Sequence, residues 1–111
     1  MATKHRLEVD FEELVMKAIE EALSFFGGCV KDVVLYYCSK KHGVAGQELS
    51  EKLRKFTRCL EEIFSYAAYI IELQVVSCLF TKVGLRFVER RGWGLVEYVE
   101  EARSFYLGGR G

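Results

Sequence analysis

The stretch between Gly46 and Gly84 constrains the fold of this chain more than any other. Residues 47–83 contain no glycine and the whole sequence contains no proline, so no residue here forces a helix to stop. Beyond Phe64 the predicted helix is apolar on two sides, because Ile71 and Leu73 point in nearly opposite directions at about 100° per residue. A helix of this kind has to be covered by other helices. The stretch therefore predicts an all-α bundle around a long central helix.

The first part of the stretch has a narrower apolar pattern. Apolar residues recur there at spacings of four and three, which is typical of a coiled-coil-like seam: Leu49, Leu53, Phe56, Leu60, Ile63, Ala67 and Ile70. A straight helix over residues 47–83 would be about 55 Å long, which is long for a chain of 111 residues. The pattern leaves open whether this helix is continuous or bends near Ser65.

Shorter amphipathic helices are predicted on either side of the central one. The first begins with Asp10 as its N-cap, ends at Gly27, and carries an apolar stripe with the 3.6-residue period: Phe11, Leu14, Val15, Ala18, Ile19, Ala22, Leu23 and Phe26. The second covers about Cys29–His42, with cations in its last turn. A final helix begins near Leu95.

These elements predict one domain over residues 1–111, a bundle of four to five helices with an N-terminal arm (1–9) and a flexible tail (108–111). Two further segments partly alternate between apolar and polar residues, Arg6–Val9 and Leu85–Arg90. Strands have to pair to satisfy their backbone groups. We therefore expect no more β-structure than a minor two-stranded ribbon, which these two segments would form.

Charge and hydropathy argue against several classes of protein. The formal net charge is zero, whereas nucleic-acid binders normally carry a basic excess on one face. The N-terminal residues lack the apolar core of a signal peptide. The most apolar window, Tyr66–Phe80, is shorter than the roughly 20 residues of a membrane span and contains Glu72. The sequence predicts a soluble, cytoplasmic protein with no membrane association.

No residue pattern indicates catalysis, and we expect no enzyme activity, no metal and no cofactor. His5 and His42 are isolated, and no serine lies in a G-x-S-x-G motif. Glu72 is the only acid within the apolar belt, and we expect it at the edge of the belt, where it contacts water or an arginine of another helix.

The four cysteines form no C-x-x-C pair. A disulfide would have to join different helices, as Cys38 with Cys78 or with Cys59. We favour four buried thiols that pack as small apolar groups.

A small basic face is predicted on the long stretch: Lys52, Arg54, Lys55 and Arg58. These side chains could contact phosphates, and an alternative interpretation is a winged-helix-like DNA-binding protein with Arg86–Trp93 as its wing. A recognition helix would begin near Arg54, yet the apolar seam continues unbroken there. Pairing at i,i+4 is the simpler explanation: Glu48–Lys52, Glu51–Lys55 and Arg58–Glu62.

A second candidate surface is a stripe on the central helix: Tyr66, Tyr69, Leu73, Val76 and Phe80. Aromatic residues are enriched where protein surfaces meet, and monomers seldom expose a large apolar patch. The stripe predicts self-association as a twofold homodimer. We therefore expect a non-catalytic interaction or structural module, and an unknown protein is the alternative partner.

Several packing segments together resemble a family of small archaeal proteins that is grouped as the Nitrosopumilus output domain: Ala18–Gly27, Val34–Tyr37, Leu60–Phe64, Gly84–Phe87 and Tyr98–Ala102. The similar region spans about Phe11–Tyr106. The resemblance implies a compact helical domain without established enzymatic activity, joined in some members to signalling modules. This chain contains no receiver or sensor segment.

Overall fold

The computed structural model describes the backbone of residues 2–109 and the burial of side chains 6–108. Five α-helices follow one another: α1 (Ala2–Phe25), α2 (Gly28–His42), α3 (Leu53–Phe64), α4 (Ala68–Val83) and α5 (Leu95–Ser104). Short 3₁₀ turns precede α3 and α4, at Gly46–Glu48 and Ser65–Ala67, and a π-type turn follows α5 at Phe105–Gly109. The described residues contain no β-strand, so the all-α prediction is confirmed, and the two segments that could have formed a minor β ribbon do not form one.

Helix α1 is longer than predicted. It begins at Ala2, so residues 2–9 of the predicted arm are helical and Asp10 lies inside the helix. No glycine or proline interrupts these residues, and a helix continues until something stops it. The predicted stripe is confirmed from Phe11 to Leu23, both of which are fully buried, but not at Phe26, which lies beyond the helix and is 36% exposed. Of the predicted tail, Gly108 and Gly109 belong to the final turn, and residues 110–111 lie outside the described part.

Helix α2 ends as its sequence predicts. Lys40, Lys41 and His42 occupy the last turn, where cations complement the helix dipole. Gly43 adopts the left-handed conformation with φ 65°, and its N–H contacts the carbonyl groups of Cys38 and Ser39. Only glycine takes this conformation without a steric cost.

The predicted central helix is interrupted twice. The chain turns through residues 46–52 and α3 begins only at Leu53, because Val44 and Leu49 are both fully buried and hold this turn against the core. The second break is at Ser65, where the sequence left a bend open. A straight helix of about 55 Å would exceed the longest dimension of the molecule, 40 Å. Two shorter helices bury both apolar halves in one core.

Helix α4 is the centre of the bundle. It packs mainly against α1 and also against α3 and α5. Eight of its sixteen residues are buried, among them Val75, Val76 and Leu79 with no exposed surface. The prediction that this helix is covered on more than one side is therefore confirmed.

Residues 85–94 connect α4 to α5 without regular structure. Their backbone is held by Tyr98, which is 1% exposed. The Tyr98 hydroxyl accepts a hydrogen bond from the Arg90 N–H at 2.7 Å and donates one to the Arg90 carbonyl at 3.2 Å. Phe87 packs on the ring of Phe80, with ring centroids 5.8 Å apart, and on Tyr98 at 5.4 Å. A side-chain hydroxyl and an aromatic cluster thus replace the expected ribbon.

Candidate interaction surfaces

The corner between α3 and α4 exposes three large side chains. Tyr66 is 94% exposed, Ile70 60% and Tyr69 42%. We call this set the Tyr66 face. Spacings of three and four residues place these side chains on one side of the corner. Leu73, the next residue in this series, is half-buried and borders the face.

The backbone at this corner is strained. Ser65 has φ 56° and ψ −135° and is the only non-glycine residue with positive φ among residues 2–109. A side chain in this region costs about 1–3 kcal/mol and persists only where the surrounding structure imposes it. Here the strain ends α3 and turns Tyr66 outward. Such outliers concentrate at functional positions, which makes the corner a candidate site.

The predicted self-association stripe is therefore only partly a surface. Tyr66 and Tyr69 are exposed, but Val76 is fully buried and Phe80 is 2% exposed. The stripe passes from the surface into the core because Phe87 and Tyr98 cover only its C-terminal half. Ile70, which the sequence assigned to the coiled-coil seam, faces outward instead. The break at Ser65 separates it from that seam, and the periodicity gave no signal of this.

Charged side chains lie beside the Tyr66 face. The Tyr69 hydroxyl donates a hydrogen bond to the Glu89 carboxylate, and this bond, together with burial, raises the pKa of Tyr69 to about 12. Arg90 lies over the Trp93 ring at 4.9 Å and pairs with Glu101 at 3.0 Å. Tyr69 and residues 89–94 together line an open cleft of about 740 Å³. Apolar residues with a charged rim are the usual composition of a protein interface.

The predicted basic face is exposed over its whole length, at Lys52, Arg54, Lys55 and Arg58. Among the predicted i,i+4 pairs, Glu48 contacts Lys52 at 3.5 Å, whereas the other two pairs do not form among the described residues. Contrary to the prediction, α3 begins at Leu53, so these cations lie around a helix N-terminus. The proposed wing has no strand within the described chain, because residues 86–93 pack on aromatic side chains instead.

Glu62 joins α2 to α3 instead of pairing with Arg58. Its Oε1 accepts a hydrogen bond from the Tyr37 hydroxyl at 2.9 Å and lies 2.8 Å from Nε2 of His42. The contacts with His42 and then Tyr37 lower the pKa of Glu62. The sequence pattern could not show this, because both partners come from another helix.

Glu72 is buried, with 9% of its surface exposed. Burial raises the pKa of Glu72, and a hydrogen bond from the Leu95 N–H opposes that rise. Leu95 is the first residue of α5, so the carboxylate lies at the positive end of a helix dipole. Glu72 lies near the edge of the apolar belt, as predicted, because it lines an open cleft of about 310 Å³ together with Arg54 and Arg58. Its direct partner is a helix N-terminus.

All four cysteines are free thiols. Cys38 and Cys59 are buried, and each thiol influences the pKa of the other across the contact between α2 and α3. Cys78 is half-buried, and Cys29 is exposed, so the prediction of four buried thiols is wrong for Cys29. Cys38 and Cys59 were one of the two pairs considered for a disulfide, and they lie close together as free thiols.

No protein-family model, curated protein or solved structure matches the chain. The resemblance to the Nitrosopumilus output domain stays a prediction.

One stretch, Leu53–Val83, is long and apolar enough to cross a membrane by length and composition. In the structure the break at Ser65 divides it into helices of 12 and 16 residues. Each is shorter than the roughly 20 residues that a helical span requires. Composition alone therefore overstates the length of continuous helix in this stretch.

Proposed function

We propose that this chain is a non-catalytic interaction module that binds a second copy of itself through the Tyr66 face. The observation that carries the proposal is the exposure of Tyr66, Tyr69 and Ile70 at a corner whose backbone strain turns Tyr66 outward. Burying an apolar side chain of this size contributes about 1.5–3 kcal/mol. Tyrosine also loses little conformational entropy when it is fixed in an interface.

The charges near the Tyr66 face support a copy of this chain as the partner. A twofold interface is self-complementary, because each residue meets the surface that its counterpart meets. The rim carries both signs, because Glu89, Arg90 and Arg91 all line the cleft beside Tyr69. The net charge is zero, so two copies do not repel each other at long range. We place this module in the cytoplasm, as the composition predicts.

The oligomeric mass tests the proposal. We expect the parent protein to approach twice 12.8 kDa in light scattering as its concentration rises through the micromolar range. The double variant Tyr66→Ala/Ile70→Ser should remain a monomer with an unchanged circular dichroism spectrum. Its matched control is Tyr36→Ala/Val33→Ser on α2, where the same kinds of side chain are 58% and 54% exposed.

Two results would contradict the proposal. The first is a parent protein that stays at the monomer mass at every concentration. The second is a loss of association in the α2 control that equals the loss in the corner variant, because the interface would then lie elsewhere.

An alternative proposal is a nucleic-acid-binding protein that uses Lys52, Arg54, Lys55 and Arg58. The observation in its favour is that α3 begins at Leu53, close to where a recognition helix would begin. Glu61 and Glu62 follow on the same helix and would repel a phosphate backbone. A mobility shift of a DNA fragment that weakens with salt would favour this alternative, whereas a salt-independent absence of binding would reject it.

A further inference from the structure

The N-terminus of α3 lacks the usual means of satisfying its backbone. Lys52 occupies the N-cap position and makes no side-chain cap, and the first turn contains no acidic residue. The first N–H group to bond is that of Phe56, to the Lys52 carbonyl at 3.0 Å. Within the described residues the N–H groups of residues 53–55 have no partner. These groups form the positive end of a twelve-residue helix.

The charges of the first turn oppose the helix dipole. Arg54 and Lys55 occupy positions where acidic side chains are favoured, and neither forms an ion pair within the described residues. Two cations outside ion pairs and three free N–H groups thus lie in the same helical turn. An anion bound there would offset both unfavourable features.

A mostly buried serine independently points to a ligand. Ser50 is 4% exposed, and its side chain makes no hydrogen bond in the described part of the chain. Its hydroxyl is not among the fully enclosed atoms of the described residues, so it remains accessible to a small molecule. Ser50 lines the same cleft as the first turn of α3, an open space of about 510 Å³. A ligand in this cleft would supply the missing partner.

The carboxylates around the cleft are partly neutralised, because two of them share one arginine. Glu12 and Glu100 both contact Arg103, at 2.9 Å and 3.3 Å. The second oxygen of Glu12 is enclosed by protein and has no hydrogen-bond partner in the described residues, so it does not face the open cleft. Glu51 is then the only lining carboxylate without a described ion pair. The lining as a whole contains four cations and three carboxylates: Lys52, Arg54, Lys55 and Arg103 against Glu12, Glu51 and Glu100.

We propose that this cleft binds a phosphate group, with Ser50, the N–H groups of residues 53–55, and Arg54 and Lys55 as its ligands. A phosphate offers several acceptor oxygens and matches the planar guanidinium of arginine. The proposal goes beyond self-association, because the cleft is lined by α1, α3 and α5 and does not include the Tyr66 face. Either proposal can fail without the other.

Titration of ¹⁵N-labelled protein with inorganic phosphate tests the site, with sodium chloride used to hold the ionic strength constant. We expect saturable shifts that are largest for the amides of residues 53–55. Arg54→Gln/Lys55→Gln should weaken binding at least tenfold, and Ser50→Ala should weaken it several-fold with little effect on the fold. Glu51→Gln should strengthen binding, because it removes the nearest free negative charge.

The matched control is Lys40→Gln/Lys41→Gln, which removes two cations from the end of α2 and should leave the affinity unchanged. Non-saturable shifts, or equal weakening in the control and in the α3 double variant, would overturn the proposal. Glu51→Gln is expected to strengthen phosphate binding, whereas a loss of stability could only weaken it. This variant therefore separates an effect on the site from an effect on folding.

The phosphate group can belong to a small molecule or to a nucleic-acid backbone. A short DNA duplex added to the same sample distinguishes these sources. Shifts of the same amides that phosphate reverses identify the backbone. Binding of phosphate without any effect of the duplex identifies a small phosphate-bearing ligand, and both results support the site. No saturable binding of either ligand would reject it.

Discussion

Replacement of Tyr98 by phenylalanine isolates the interaction that holds residues 85–94. The hydroxyl bonds both the N–H and the carbonyl group of Arg90, and the Tyr98 side chain is 1% exposed. Each net hydrogen bond contributes about 0.5–1.5 kcal/mol, and leaving a buried backbone group without a partner costs about 1–3 kcal/mol. Water reaches part of this backbone, because the Arg90 side chain is exposed. We expect Tyr98→Phe to lower the free energy of unfolding by about 1–3 kcal/mol.

Guanidinium unfolding followed by circular dichroism measures this loss as a lower midpoint with an unchanged slope. Hydrogen exchange at the Arg90 amide should accelerate more than exchange in α1. Tyr36→Phe is the control, because it removes the same atom from a side chain that is 58% exposed. Equal stability of Tyr98→Phe and the control would refute the reasoning, as would a protected Arg90 amide in Tyr98→Phe.

Three further changes are predicted. Burial raises the pKa of Glu72, so the folded state holds this proton more tightly than the unfolded chain. Stability from this group therefore increases as the pH falls through the raised pKa toward about 4.3. Glu72→Gln should show its most favourable stability relative to the parent at neutral pH, and a constant difference between about pH 7 and pH 4 would count against this. Ser65→Gly should raise the urea midpoint, because relief of about 1–3 kcal/mol of strain exceeds the entropy that glycine adds to the unfolded chain, about 0.5–1 kcal/mol; a lower midpoint would mean that Ser65 is not strained. In native protein a thiol reagent should modify Cys29 at once and leave Cys38 and Cys59 protected until unfolding, since burial raises the pKa of both thiols; rapid reaction of either buried thiol would contradict the packing of α2 on α3.

The sequence predicted those elements whose signal lies within one helix. The stripe of α1 and the end of α2 depend on local periodicity and on one glycine, so both were visible in the sequence. The two apolar sides of α4 can also be read from a local sequence pattern, which correctly indicated a helix that other helices cover. Local patterns thus predicted the fold class and the central position of α4.

The candidate sites depended on contacts between residues far apart in sequence. Val76 and Phe80 continue the periodic series of Tyr69, and only the packing of residues 85–94 separates core from surface. Those residues are placed by the hydroxyl of Tyr98, which no periodicity reveals. The start of α3 was missed because burial of Val44 and Leu49 overrides a helix-compatible sequence. The phosphate cleft likewise needs α1 and α5 beside α3.

The packing of α1 has a consequence for the order in which the chain is made. Phe11 lies against Tyr106, with ring centroids 5.7 Å apart, and Glu12 pairs with Arg103, 91 residues later. Translation proceeds at about 5–20 residues per second, so roughly 5–20 s separate the synthesis of these partners. During that interval the N-terminal half of α1 is complete but has no cover for Phe11. The nascent chain therefore exposes the Phe11 end of α1 to chaperones until the last helix leaves the ribosome, although α4 can cover the rest of α1 earlier.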